Sequence, residues 1–156
     1  MINKLDDISI LIGRSLLGLY FLGPGLAKIF SYSNYLAVMQ QNEVPLTLLA
    51  LPSVILIQVI GGVMLIFNQN IKVFAWALFL TTLVINFYIH DFWTLEDGMV
   101  KAHETQNFVK NLAICAGLLV LAAREKFVKL NLLVVLRLFH ISVVWVTIYK
   151  NTLSFL

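Results

Sequence analysis

One histidine, two lysines, an arginine and several amides stand inside stretches of this 156-residue chain that are otherwise apolar. Arg14 and Lys28 lie in LIGRSLLGLYFLGPGLAKIF, and Gln58 lies in SVILIQVIGG. Asn86 and His90 lie in LVINFYIH, and Lys110 and Asn111 in NFVKNLAIC. Such side chains are costly in apolar surroundings and mark candidate sites by default. Lys and Arg can hold an anion or polarise an oxygen, and an imidazole exchanges a proton near neutral pH. Asp91, beside His90, could fix its tautomer. Consecutive helical residues point ~100° apart, however, so the two are expected to meet different partners.

Helical spacing groups these residues. Arg14, Gly18, Phe21, Gly25 and Lys28 repeat at 4-3-4-3 and share one face, where glycines let a neighbouring backbone come close. That face reads equally well as a packing seam with two snorkelling cations. Pro24 should kink the helix near its end and free a carbonyl. Gln58 is expected ~14 Å from one end of its helix and Arg14 ~9 Å from the same side, close enough in depth to hydrogen-bond. Thr82, Asn86 and His90 form an i, i+4, i+8 stripe, and so do Asn107, Asn111 and Cys115. Cys115, the single cysteine, reads as an inert packing residue, and no CxxC or other metal-ligand spacing occurs. No nucleotide fingerprint or nucleophile motif is present.

The elements that must position these groups are membrane helices. Hydrophobic residues make up 60% of the chain and charged ones 12%, with a mean hydropathy of +0.91. A domain this short cannot hide that much apolar surface from water, which excludes a soluble enzyme and a disordered chain. A bilayer crossing needs ~20 mostly apolar residues. Segments 8–30, 47–67, 73–93 and 106–123 meet that test, and no Asp, Glu, Lys or Arg occurs between Glu43 and Lys72. The expected fold class is all-α: a polytopic membrane four-helix bundle with an additional C-terminal hydrophobic helix. The bundle would occupy 1–124 and the extension 125–156.

Residues 31–46 read as a connection carrying a surface helix and 68–72 as a tight turn, while the charged stretch 94–105 reads as a loop. Residues 130–149 fit a fifth span or an interfacial helix, because Arg137, His140, Thr147 and Asn151 fall on one narrow polar stripe. Lys4, Lys72, Arg124, Lys126 and Lys129 would share one side, which by the positive-inside rule puts the N-terminus in the cytoplasm. The basic residues are scattered, so nucleic acid is not an expected partner.

GRSLLGLYFLGPGLAKI, QVIGGVMLIF, FYIHDFW and NFVKNLAICAGLLVL, in that order, resemble the DoxX family over about residues 10–123. The resemblance implies a small four-helix bacterial inner-membrane protein, described as oxidoreductase-like because relatives include the membrane subunit of a thiosulfate:quinone oxidoreductase. Carried over by position, its matching residues are Arg14, Lys28, Gly61, Gly62, His90, Lys110 and Asn111. Relatives often carry Glu where this chain has Gln58, which leaves an amide in place of a carboxylate.

Two functions follow from the residues and the resemblance together. The first is a redox component that binds a quinone-like molecule in the bundle. His90 would carry the proton, with Arg14, Lys28, Gln58, Asn86, Lys110 and Asn111 around the head group and a soluble redox protein as partner. The second is non-catalytic, a small-solute carrier or a scaffold for a soluble enzyme. The sequence leaves homo-oligomerisation open.

Overall fold

A computed structural model describes residues 4–124; the expectation of a fifth helix over 130–149 lies outside them. The chain forms α1 (Lys4–Phe30), α2 (Tyr32–Gln41), α3 (Thr47–Ile66) and α4 (Ile71–Ile89). A 3₁₀ turn (Phe92–Thr94) and α5 (Met99–Arg124) follow. Four stretches are long and apolar enough to cross a membrane: Lys4–Phe30, Thr47–Ile66, Ile71–Thr94 and Met99–Arg124. They alternate in direction. The start of α1, the turn at 67–70 and the end of α5 therefore share one end of the bundle, here called proximal; α2 and the 3₁₀ turn mark the distal end. Many large apolar side chains point outward, among them Leu16, Leu19, Leu56, Leu80 and Val120. In water that surface would be a liability, but against lipid it is the expected exterior.

α1 packs along α3, α3 against α4, and α4 against α5, whereas α1 and α5 touch only briefly. The α1–α3 seam depends on glycine. A Cβ at Gly18 would lie 2.6 Å from the Gly62 carbonyl oxygen, and one at Gly62 would lie 2.7 Å from that of Gly18. Phe21 and Gly25 on the same stripe are buried too, so the 4-3-4-3 face is the seam the spacing predicts. Between α3 and α4 the chain reverses through Asn68 and Asn70, both left-handed (φ 59° and 47°), a conformation that asparagine tolerates better than most residues. The apolar core joins Phe21, Leu65, Ala75, Leu78 and Leu118.

α1 runs unbroken through Pro24 to Phe30. One expectation needs correction. α5 starts at Met99, seven residues before the apolar segment that announced it, so most of the charged stretch taken for a loop is helical. Polar pairs, not apolar periodicity, build those first turns. Lys101 donates to Asp97 at 2.8 Å and holds that exposed carboxyl below its ordinary value, and Thr105 donates to the Lys101 carbonyl. Phe92, Trp93 and Phe108 stack edge to face, with centroids 5.3 to 5.7 Å apart, and clamp the 3₁₀ turn onto α5.

Candidate functional site

The polar stripes of four helices converge at the distal end on a cavity of about 250 Å³. α1 contributes Tyr20 and Lys28, α3 contributes Gln58, and α4 contributes Thr82. His90 follows the last turn of α4, and α5 brings Asn107, Lys110 and Asn111. Five of the seven residues singled out by sequence thus line one chamber: Lys28, Gln58, His90, Lys110 and Asn111.

Asn86 stands just behind that chamber. It is fully buried, donates through Nδ2 to the Phe108 carbonyl at 3.1 Å, and accepts from Asn111 Nδ2 at 3.0 Å. Asn111 Oδ1 in turn accepts from the Tyr20 hydroxyl at 3.1 Å. This chain of bonds ties α1, α4 and α5 together and leaves neither asparagine free to rotate. Asn86 is therefore a positioning residue for Asn111.

Arg14 is elsewhere. Its Nη1 donates to the Leu65 and Ile66 carbonyls at 2.7 and 2.5 Å, capping the C-terminus of α3 at the proximal end. A cation there satisfies carbonyls that the helix leaves open and complements its dipole. The bond to Gln58 suggested by the depth estimate does not form, because α1 runs past the end of α3. Arg14 is level with Ile66, whereas Gln58 faces Gly25, three turns further along α1. Gln58 is 6% exposed and its Oε1 has no hydrogen-bond partner among the described residues. A buried amide oxygen without a donor is uncommon and asks for one from a ligand or water.

His90 meets Glu104, not Asp91: Nδ1 and Glu104 Oε2 are 2.6 Å apart. Asp91 instead accepts from the Thr94 hydroxyl, so the neighbours have separate partners as expected, although both lie just past the helix end and not within it. With Glu104 on Nδ1, Nε2 is the ring nitrogen left for a ligand. Lys28 is half-buried, 3.4 Å from the Pro24 carbonyl, with its ammonium 4.9 Å from the centre of the Tyr35 ring. Lys110 donates to Asn107 Oδ1 at 2.9 Å. Among the described residues neither lysine pairs with a carboxylate, so both charges are available to an anionic or carbonyl oxygen.

Sequence reasoning passed over two members of the site. Tyr20, Pro24 and Lys28 are spaced i, i+4, i+8, and that second stripe on α1 pointed to Tyr20. Glu104 lies seven residues before Asn111 and extends the Asn107–Asn111–Cys115 face, a signal that a loop reading of residues 94–105 hides.

The DoxX family model matches residues 9–91. The inner membrane protein YqjF of Escherichia coli (strain K12) is 30% identical over 120 residues, covering 77% of this chain and 86% of that protein. No solved structure matches significantly. The family match ends at the His90–Asp91 pair and takes in the glycine seam and three of the four helices that line the chamber, and the likeness to YqjF spans most of both chains. This chain, with four helices long and apolar enough to cross a membrane, belongs to the DoxX family.

Proposed function

We propose that this protein is a redox-associated component of the bacterial inner membrane that binds a quinone-like molecule in the distal chamber. The observation that carries the reading is the convergence of Lys28, Gln58, His90 and Lys110 on one cavity. A quinone head presents oxygens that accept hydrogen bonds from the two ammonium groups, and a hydroxyl of its reduced form would donate to the partnerless Gln58 Oε1, so the residues fit it. Once bound, such a head supplies an acceptor for two electrons and two protons. Lys28 and Lys110 orient it and offset negative charge that develops on its oxygens. His90 holds a proton at Nε2, and Glu104 on Nδ1 fixes the orientation of the ring. A soluble partner protein delivers the electrons.

Location and orientation belong to the same proposal. The inner-membrane description of YqjF supports the location. Lys4, Lys72 and Arg124 lie at the proximal end, which under the positive-inside rule faces the cytoplasm and sets the chamber in the outer half of the bilayer. The bundle is the functional unit, and 125–156 is an extension to it.

The test is quinone exchange and reduction in the purified protein, compared with a His90→Ala, Lys110→Ala double variant. Loss of exchange with the fold intact supports the proposal. Unchanged exchange means that the chamber is not the site. Solute flux into liposomes, or tight co-purification with a soluble enzyme in the absence of bound quinone, would replace it with a carrier or a scaffold.

A further inference from the structure

A second chamber, of about 270 Å³, lies beneath α2. Val38 and Met39 of α2 form its roof, Ala50 and Val54 of α3 one wall, and Val84 and Tyr88 of α4 the other. Lys28, Ile85 and His90 line both chambers, so the polar and apolar spaces adjoin with those three side chains between them. Each space alone falls just short of the ~300–1,000 Å³ usual for small-molecule sites, and a ligand that reached into both would fall within it.

We infer that the ligand of the distal chamber is amphipathic, with its polar head among Lys28, Gln58, His90 and Lys110 and an apolar chain under α2. This rests on the reading of that chamber as a ligand site. Gln58 supplies the independent sign of an occupant at the head, a buried amide oxygen with no partner among the described residues, which a donor such as the hydroxyl of a reduced quinone head or a water held beside the head would satisfy. Lys28 marks the boundary: its ammonium lies between the Pro24 carbonyl, whose residue lines the polar side, and the ring of Tyr35, which lines the apolar side. The space is open toward the exterior, where Val38, Val84 and Tyr88 are exposed, and an apolar chain lying in it gains dispersion contacts with its walls.

The roof suits admission from the side. α2 has no buried residue and lies across α3 with slight contact to α1. Its link to α3 holds two non-glycine residues, Glu43 and Leu46, in the left-handed region at φ 50° and 52°. Such backbone is costly for a leucine, and movement of α2 away from α3 and α4 can relieve it without disturbing the four long helices.

The test uses two pairs of probes on the full chain in mild detergent. One is 2,3-dimethoxy-5-methyl-1,4-benzoquinone with and without a decyl chain; the other is benzoate and 4-decylbenzoate. Each is titrated against wild type, Ala50→Phe, which fills the apolar chamber, and Val38→Glu, which sets a charge in its roof and, at a 40% exposed position, spares the fold. Circular dichroism melting reports folding. The decyl chain should strengthen binding to wild type at least tenfold, and both variants should abolish that gain while the chainless probe binds as before. A gain that survives both variants places the chain in the micelle and overturns the inference, and so does a wild type that gains nothing. If only the benzoate pair binds, with its gain lost in the variants, the quinone reading fails and the inference stands. If neither pair binds, both are refuted.

Discussion

Replacing Gly62 with alanine adds one methyl group where a Cβ would lie 2.7 Å from the Gly18 oxygen and 3.0 Å from the Leu22 nitrogen. Both neighbours are backbone atoms and cannot rotate away, so α1 and α3 must separate. The same change at Gly13 meets nothing within 4 Å. Alanine's better helix propensity is common to both substitutions and cancels in the comparison. What remains is the overpacking cost, about 1–3 kcal/mol. Titration of the purified protein from mild-detergent micelles with SDS, followed by tryptophan fluorescence, should show Gly62→Ala unfolding earlier than Gly13→Ala by that amount. Gly25 and Gln58 meet two turns further along the same seam, where a Gly25 Cβ would lie 3.1 Å from the Gln58 Cβ. Gly62→Ala should therefore weaken probe binding in the chamber as well. Indistinguishable unfolding of the two variants would refute the close α1–α3 contact and the placement of Gln58 that follows from it.

Arg14→Leu should destabilise the bundle by about 1–2 kcal/mol in the same titration, through loss of its bonds to the end of α3, and leave probe affinity unchanged. A double-mutant cycle of Asn86→Ala and Asn111→Ala should give a coupling of about 0.6–1.7 kcal/mol, the range of hydrogen bonds between membrane helices; additive effects would mean that the bond does not hold the chamber together. Glu104→Gln should leave probe affinity within about threefold of wild type and alter the pH profile of quinone reduction, because the partner on Nδ1 no longer carries charge. A profile identical to wild type would remove Glu104 from proton handling. Asp97→Asn should give no measurable change in melting temperature at neutral pH, since that ion pair is exposed. The depressed carboxyl value favours the fold above the ordinary carboxylate range and loses that contribution as pH falls. The wild type and Asp97→Asn should therefore stay indistinguishable on acidification, and a variant that melts measurably apart from wild type at any pH would contradict the exposed pair.

The spans and the buried faces were legible because both are written in periodicity and charge. The charge-free stretch between Glu43 and Lys72 marked α3, and the stripes through Gly18–Phe21–Gly25, Thr82–Asn86 and Asn111–Cys115 named residues that are buried in the fold. The convergence of five polar residues also followed, since residues on inward faces at similar depth must meet if the helices pack as one bundle. Depth itself was less legible. A depth counted from the hydropathic edge misplaces Arg14, because α1 continues with Lys4, Asp6 and Asp7 beyond the turn that ends α3, so Arg14 meets Ile66 and not Gln58. α5 was cut short for the same reason: its first turns are held by Asp97–Lys101 and Thr105, whose charges lower the hydropathy that a membrane segment is recognised by. The pairing of His90 with Glu104 was hidden as a consequence. The second chamber left no sequence signal, because its lining is drawn from ordinary apolar residues of three helices and becomes a cavity only once α2 lies across them.

The most direct test is the identity of what the protein carries out of the membrane. Protein purified in mild detergent would be scanned for absorbance and extracted with organic solvent, and the extract analysed by mass spectrometry beside those of His90→Ala and Lys110→Ala. A quinone in stoichiometric amount from wild type, and lost from both variants, is the expected result. Bulk lipid alone with a featureless spectrum, or a quinone retained equally by all three proteins, would contradict a redox site in the distal chamber.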